Sequence, residues 1–278
     1  MKVAIVTSVR NGNASWCVPA LLESATCQLA GVIVSAGTPS SRWAHWKRKL
    51  LKTWRIGLPG AFNGIRMRPW FTDPRADDIV SVCQRHGVPV IQTDKTNSDE
   101  TRAGLRQLNV DLALSLGNTY IGRKLFSIPK HGMINVHEEI LPEFQGAQSI
   151  IWPIHESVRE TGFTIHQVDD HIDTGRILFQ QRFPIEFFPT LQQTVVHNLT
   201  VCRELIPQAV TMVCENFEQT LQCSTLQARG RSFTTPSYWQ FRRMQRMNLE
   251  FWRQQQQRRQ QQKAIPLDSA QQFHRASA

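Results

Sequence analysis

No run of eighteen or more apolar residues occurs in this 278-residue chain, so no transmembrane helix is predicted. The opening residues 1–7, MKVAIVT, are too short for a secretory apolar region and predict a first buried strand instead. The six cysteines, at 17, 27, 83, 202, 214 and 223, include no CxxC pair. Most fall in apolar helical patterns, which predicts buried free thiols in a reducing, cytoplasmic compartment. No unit of 20 to 50 residues repeats, which excludes a solenoid. Acid is in short supply: Asp and Glu number 22 against 32 Lys and Arg, giving a net charge of +10 and a pI near 9.8. That excess suits anionic partners (phosphates, nucleic acid or a lipid surface) and does not choose among them.

What is present is an alternation of strands and helices. Strands are predicted at 2–8, 31–35, 88–92, 111–116 and 133–137, and helices at 18–30, 77–86, 99–108, 122–127 and 148–156. Such alternation predicts an α/β fold with a doubly wound, mostly parallel sheet and right-handed crossovers. Residues 162–168 and 177–185 alternate in polarity and predict antiparallel edge strands. One long helix over 191–217 carries an apolar stripe, with Pro207 as its expected kink.

Two regions break the rhythm. Residues 38–75 hold nine Lys or Arg and four Trp, and Trp43, Trp46, Leu50 and Trp54 follow helical spacing. The expected arrangement is an inserted helix that packs its Trp stripe on the domain. A membrane-surface helix or stacking on a nucleotide are the alternatives. After residue 224 the composition turns basic and Gln-rich. The predicted organisation is a domain over 1–224, a basic helical extension over 225–262 and a disordered tail over 263–278.

The stretch that carries chemistry is 132–146, GMINVHEEILPEFQG. Strand alternation puts Asn135 and His137 on one side. An amide donor beside an imidazole suits a carbonyl centre, where one stabilises an oxyanion and the other moves a proton. Asp173, 38 residues beyond Asn135, lies in a Gly-containing loop that can bring a carboxylate to them. His166 and His171 lie near Asp173 without a cysteine or second carboxylate to complete a ligand set, so no metal is expected. The turn after the first strand, with Asn11, Gly12 and Asn13, sits where open α/β sheets place a ligand loop. A turn capped by Ser15 and a phosphate cradle are equally compatible with it.

Asn135-x-His137, Leu141-Pro142-x-Phe144-x-Gly146, Gly162-x-Thr164-x-His166 and Asp173-x-Gly175, in this order, resemble the folate-dependent formyltransferase family. That family includes phosphoribosylglycinamide, methionyl-tRNA and nucleotide-sugar formyltransferases, and the resemblance is dense from about residue 110 to 185. It implies a Rossmann-like formyltransferase fold and 10-formyltetrahydrofolate as donor. It also implies Asn135, His137 and Asp173 as the catalytic residues. The family holds its pterin on backbone groups of two loops, which here correspond to Gly117, Asn118, Thr119, Tyr120 and Ile121 and to Val168, Asp169 and Asp170. Glu139 stands where the family usually has Ser, adding bulk and charge beside the site.

The turn at 10–15 lacks the Gly-Ser-Asn run of the glycinamide type, and no run of alternating strands follows residue 228 to form the barrel of the methionyl-tRNA type. The expected acceptor is therefore a small-molecule amine, nucleotide-linked, such as an amino-sugar nucleotide, with Glu139 and Gln148 on its side of the motif. This reading prefers a small molecule over nucleic acid or a membrane surface and leaves a homodimer open. The rivals are the other two acceptor types, formyl-folate hydrolysis, and a basic nucleic-acid-binding scaffold without catalysis.

Overall fold

The computed structural model describes residues 1–36, 42–118, 120–146 and 148–264. Thr119 of the expected pterin loop, the start of the Trp-rich insert and most of the expected tail lie outside the described residues. In chain order the elements are β1 (Lys2–Thr7), α1 (Asn13–Leu22), β2 (Gln28–Ser35), α2 (Arg42–Arg66), α3 (Ile79–His86), β3 (Val90–Thr93), α4 (Asp99–Leu108), β4 (Leu112–Ser115) and α5 (Arg123–Phe126). There follow β5 (Met133–His137), β6 (Gln145–Gly146), α6 (Ile151–His155), β7 (Glu160–Gln167), β8 (Ile177–Pro184), α7 (Leu191–Glu215), α8 (Phe217–Gln222), β9 (Ser232–Phe233) and α9 (Tyr238–Ala264).

Seven strands form one sheet in the order β3-β2-β1-β4-β5-β7-β8. The first five are parallel, and β7 and β8 add antiparallel. β1 shows why helices cover both faces. Val3 and Ile5 join a core shared with α1, α3 and α7, while Ala4 and Val6 join one shared with α4 and α5. Local chemistry sets the helix ends. Asp78 accepts from the Val80 and Ser81 amides to start α3, and Ser98 accepts from the Thr101 amide to start α4. Thr190 and Gln193 form a reciprocal capping box on α7, which continues through Pro207.

A third core lies beyond the end of the sheet, where Trp152, Phe233, Phe241, Met244 and Phe251 pack with Trp70 and Leu199. Through it the C-terminal basic segment packs on α6 and α7, and its β9 pairs in parallel with β6. Five of the six cysteines are buried and Cys223 is exposed. No helix among the described residues is long and apolar enough to cross a membrane.

Three expectations need correction. The first helix starts at Asn13 rather than 18 and stops at Leu22, and β2 takes residues from 28 onward. Its start was hidden because Gly12 caps it without a side-chain bond, while Ser15 donates to Asp77 O at 2.7 Å instead of capping. Most consequentially, the Trp stripe of α2 does not pack on the domain: Trp43, Trp46, Leu50 and Trp54 are all exposed. Periodicity defines a face and is silent on what that face meets.

Candidate active site

At the carboxyl end of a parallel sheet the loops after adjacent strands part where the strand order reverses, and ligands bind there. Here that point lies between β1 and β4, and the cleft of about 610 Å³ that opens from it is lined by both loops, through Asn11, Gly12 and Asn13 and through Gly117 and Asn118. The cleft continues along β5 to Asn135, His137 and Glu138, and is closed by Gly146, Asp173, Arg203 and Phe233. A smaller recess of about 50 Å³ adjoins it. Tyr120, Ile121, His166, Val168 and Asp169 line the recess, and Asn118, Asn135 and Asp173 line both spaces.

The strand pairing assembles the polar groups at this junction. Asn135 lies opposite His166 across β5 and β7, and Asn135 Nδ2 is 3.1 Å from His166 Nε2. His166 Nδ1 is 2.8 Å from the Gln167 carbonyl. A carbonyl only accepts, so Nδ1 carries the hydrogen and Nε2 accepts from the Asn135 amide. Burial pushes the His166 pKa down, against the pull of Asp173, which agrees with this neutral tautomer. By the same reasoning His137 Nε2 donates to Phe144 O at 2.8 Å. Its Nδ1 faces Asp173 Oδ2 at 3.7 Å, too long for a hydrogen bond but within ion-pair reach.

Asp173 is held in an unusual backbone state, with φ 56°. β6 fixes it from both sides, because the Gly146 amide donates to Asp173 Oδ2 at 3.0 Å and Gln145 Nε2 donates to its carbonyl at 3.1 Å. Gly146 has φ 96°, and a Cβ there would lie 2.4 Å from Phe233 O, so the approach of β9 requires glycine. Phe233 is seated against Phe144 and Trp152, at centroid distances of 5.5 and 4.8 Å.

At the far end of the cleft is a charged network that the sequence reading missed. Arg203 of α7 donates to both Glu138 oxygens, at 2.8 and 3.2 Å, and to Phe71 O at 2.8 Å. Asn13 donates to Glu138 Oε1 at 3.1 Å, and Asp73 lies 4.0 Å from Arg203. Burial works against the Arg203 charge, but Glu138 and Asp73 more than offset it and raise the guanidinium pKa. Asp73, bound by Arg75, is held below the usual carboxylate range. The available signal was a lone arginine between Leu199, Cys202 and Ile206 on the buried stripe of a long helix.

The other expected site residues divide. Asn118 donates to Val6 O at 2.7 Å and to Ser115 Oγ at 3.1 Å, while its Oδ1 is buried without a partner. Asn11 is tied to Ala76 O at 3.0 Å. Asp170 does not line the recess; it pairs with Arg123 on the surface. Gln148 turns to Thr235 Oγ1 at 3.4 Å and stays out of the cleft lining. Glu139 is 2% exposed and points into the protein, where it accepts from Ile140 N at 3.1 Å, Ile150 N at 2.8 Å and Thr161 Oγ1. Burial pushes its pKa up to about 7 against those bonds. Glu138, one residue earlier, is the carboxylate that lines the cleft. Among the described residues no group of three or more His, Cys, Asp or Glu could hold a metal ion.

Comparison with known proteins accords with this geometry. A methionyl-tRNA formyltransferase of Anaeromyxobacter dehalogenans (strain 2CP-C) is 42% identical over 129 residues, which is 46% of this chain and 41% of the relative. The chain thus spans well under half the length of such a curated relative. The fold is similar to phosphoribosylglycinamide formyltransferase from Anaplasma phagocytophilum, with a TM-score of 0.53 and 19% identity over 78% of this chain and 88% of that one. It is also similar to WlaRD, a sugar 3N-formyl transferase solved in the presence of dTDP and 5-N-formyl-THF. There the TM-score is 0.50 and identity 17%, over 84% of this chain and 69% of that one. The family profile described as Formyl transferase matches residues 72–210, half of the sequence, and the chain belongs to that family.

Proposed function

We propose that this protein transfers a formyl group from 10-formyltetrahydrofolate to a primary amine. The observation that carries this reading is the junction itself: Asn135, neutral His166, His137 and Asp173 stand together where a smaller recess meets a larger cleft. A pterin edge carries the donor and acceptor pattern of guanine, which backbone groups and a single amide are able to read. The unpartnered Asn118 Oδ1 fits an N–H of such a ring. The folate supplies an activated formyl group, and the protein's part is to place it and to handle charge and protons.

Asn135 keeps one amide N–H beyond the one given to His166, and this N–H meets the formyl oxygen as negative charge grows there, a role typically worth about 3 to 4 kcal/mol. His137 Nδ1 takes the proton that the attacking nitrogen sheds, directly or through a water. Asp173 then holds the resulting imidazolium, and the proton passes on to the departing folate nitrogen. Proton transfer of this kind contributes about 10²- to 10⁴-fold. With Glu138 paired to Arg203 and Asp73 to Arg75, Asp173 leaves the cleft one net negative charge, which attracts a cationic amine.

For the acceptor we favour a small amine joined to a diphosphate, as in an amino-sugar nucleotide. A second cleft of about 530 Å³ shares Ser232 and Phe233 with the first and carries Arg55, His155 and Arg231. Arg231 there is paired with Glu156 at 2.9 Å, which leaves Arg55 as the charge that an anionic group in this cleft would meet. The second reading is an aminoacyl-tRNA, supported by the likeness to methionyl-tRNA formyltransferases. Purified protein with 10-formyltetrahydrofolate should be offered an amino-sugar nucleotide, glycinamide ribonucleotide and methionyl-tRNA, with products read by mass spectrometry. Fastest formylation of the sugar nucleotide is expected. Preference for methionyl-tRNA would overturn the acceptor assignment alone, and folate binding without any formylated amine would overturn transfer.

A further inference from the structure

α2 is built in two unlike halves. At Gly57 the backbone leaves helical geometry (φ 73°, ψ 164°). After it one side of the helix is seated, with Gly60 and Asn63 buried and Gly60 pressed toward Pro236 and Ser237, while Leu58, Phe62 and Ile65 stay exposed on the other. The half before Gly57 presents its aromatic stripe outward, with Trp43 75%, Trp46 66% and Trp54 89% exposed, and Leu50 and Leu51 exposed beside them. Three tryptophans this open add roughly 500 Å² of apolar surface. That is toward the upper end of the largest apolar patch on a typical soluble monomer, a size that is often functional.

We infer that this face of α2 docks on an anionic lipid bilayer, with the helix lying in the plane of the interface. Charge complementarity selects that occupant. Residues 42, 47, 48, 49 and 52 are all Lys or Arg, and no Asp or Glu occurs from 24 to 72. Trp, aliphatic and basic residues in one helix match the three layers it would meet: headgroup boundary, acyl chains and surface charge. Lys47 already sits over the Trp43 ring, 5.4 Å from its centroid, an arrangement suited to a cation held at headgroup depth beside an interfacial ring.

The alternatives fit less well. Nucleic acid rewards the rings and the charge but gives nothing to Leu50, Leu51 and Leu58, which are more than half exposed. A second copy would bring two acid-free basic helices together. The docking face also bears on the cleft, because Arg55 donates to Thr234 Oγ1 at 2.5 Å, next to the Ser232–Phe233 wall.

The test is flotation of the full chain with vesicles of phosphatidylcholine alone and with phosphatidylglycerol added, followed in parallel by Trp fluorescence. Binding to the anionic vesicles with a blue shift is expected, and little to the neutral ones. The triple variant Trp43→Ala, Trp46→Ala, Trp54→Ala should keep its melting temperature, since these rings bury little, and lose about tenfold or more in partition. A quadruple variant with Gln at 47, 48, 49 and 52 should lose about two orders of magnitude on anionic vesicles and respond little to lipid charge. Formyl transfer to a soluble acceptor should be unchanged in both variants, and the vesicle result stands apart from that assay. Absence of binding to anionic vesicles overturns the inference. So does a wild-type dimer that the triple variant converts to monomer, or retention of RNA that depends on the same residues while vesicles are ignored.

Discussion

Asn135 and His166 face each other across β5 and β7, 3.1 Å from amide nitrogen to imidazole, and each fixes the other's state. The histidine is held as the Nδ1–H tautomer by the Gln167 carbonyl and buried neutral, so it accepts from the amide. The amide is thereby prevented from flipping, and its remaining N–H is aimed rather than free to rotate. The expected outcome of His166→Ala is a fall in turnover of about 10- to 100-fold with folate affinity little changed, because a donor misplaced by an ångström costs on that order. His166→Gln, which restores an acceptor to the amide, should recover part of the loss. Equal turnover in wild type and His166→Ala would show that Asn135 needs no such anchor.

Asn135→Ala and His137→Ala should each lower turnover about 10²- to 10³-fold while the protein stays folded. For the carboxylate the informative change is Asp173→Asn. Asp173 has φ 56°, a conformation asparagine tolerates and alanine does not, so alanine there would mix strain with lost charge. Steady-state kinetics beside circular dichroism separate the two effects. Near wild-type turnover in any of the three removes that residue from the mechanism.

Glu139 gives a signed dependence on pH. Its folded pKa is raised by burial from 4.5 to about 7, so the folded protein binds this proton more tightly than the unfolded chain does. The stability it contributes is full below about pH 4.5 and lost as pH rises through 7. Glu139→Gln removes that slope. The stability difference between variant and wild type should move in the variant's favour by a few kcal/mol between those limits. Denaturant melts of both proteins at pH 5 and pH 8 read it directly, and a pH-independent difference would mean that Glu139 stays charged in the folded state.

The Arg203–Glu138 pair should govern the acceptor and not the donor. Glu138→Gln leaves Arg203 buried against a neutral partner, and about 2 to 3 kcal/mol of stability should go with it, since Glu138 itself is partly open to solvent. The apparent KM for the amine should rise while the dissociation constant for folate holds. A change confined to folate binding would place the pair on the wrong side of the junction.

Folate itself should stabilise the fold by mass action. At a hundredfold excess over its dissociation constant a ligand that binds only the native state adds about 2.7 kcal/mol. Thermal melts with 5-formyltetrahydrofolate, in wild type and in a variant with Ala in place of Asn118, should show an upward shift that is smaller in the variant. No shift at millimolar folate would argue against the donor.

The sequence by itself determined the alternating α/β architecture, because buried strands and amphipathic helices have periods that a single chain displays. It likewise determined that Asn135 and His137 share one side of β5, since side chains alternate on a strand. Alternation ends with the strand, and that is why Glu139 was expected on the acceptor side and Glu138 was not. Only the turn after His137 decides that Glu138 enters the cleft with Arg203 and that Glu139 turns inward to the Ile150 amide. The same limit applied to Gln148 and Asp170, whose partners, Thr235 and Arg123, lie 87 and 47 residues away in the chain. It applied again to α2, whose stripe was visible at once but whose surroundings were not. A helix face and a strand side are local properties set by backbone geometry, whereas what they meet depends on segments distant in sequence, and only the packed chain brings those together.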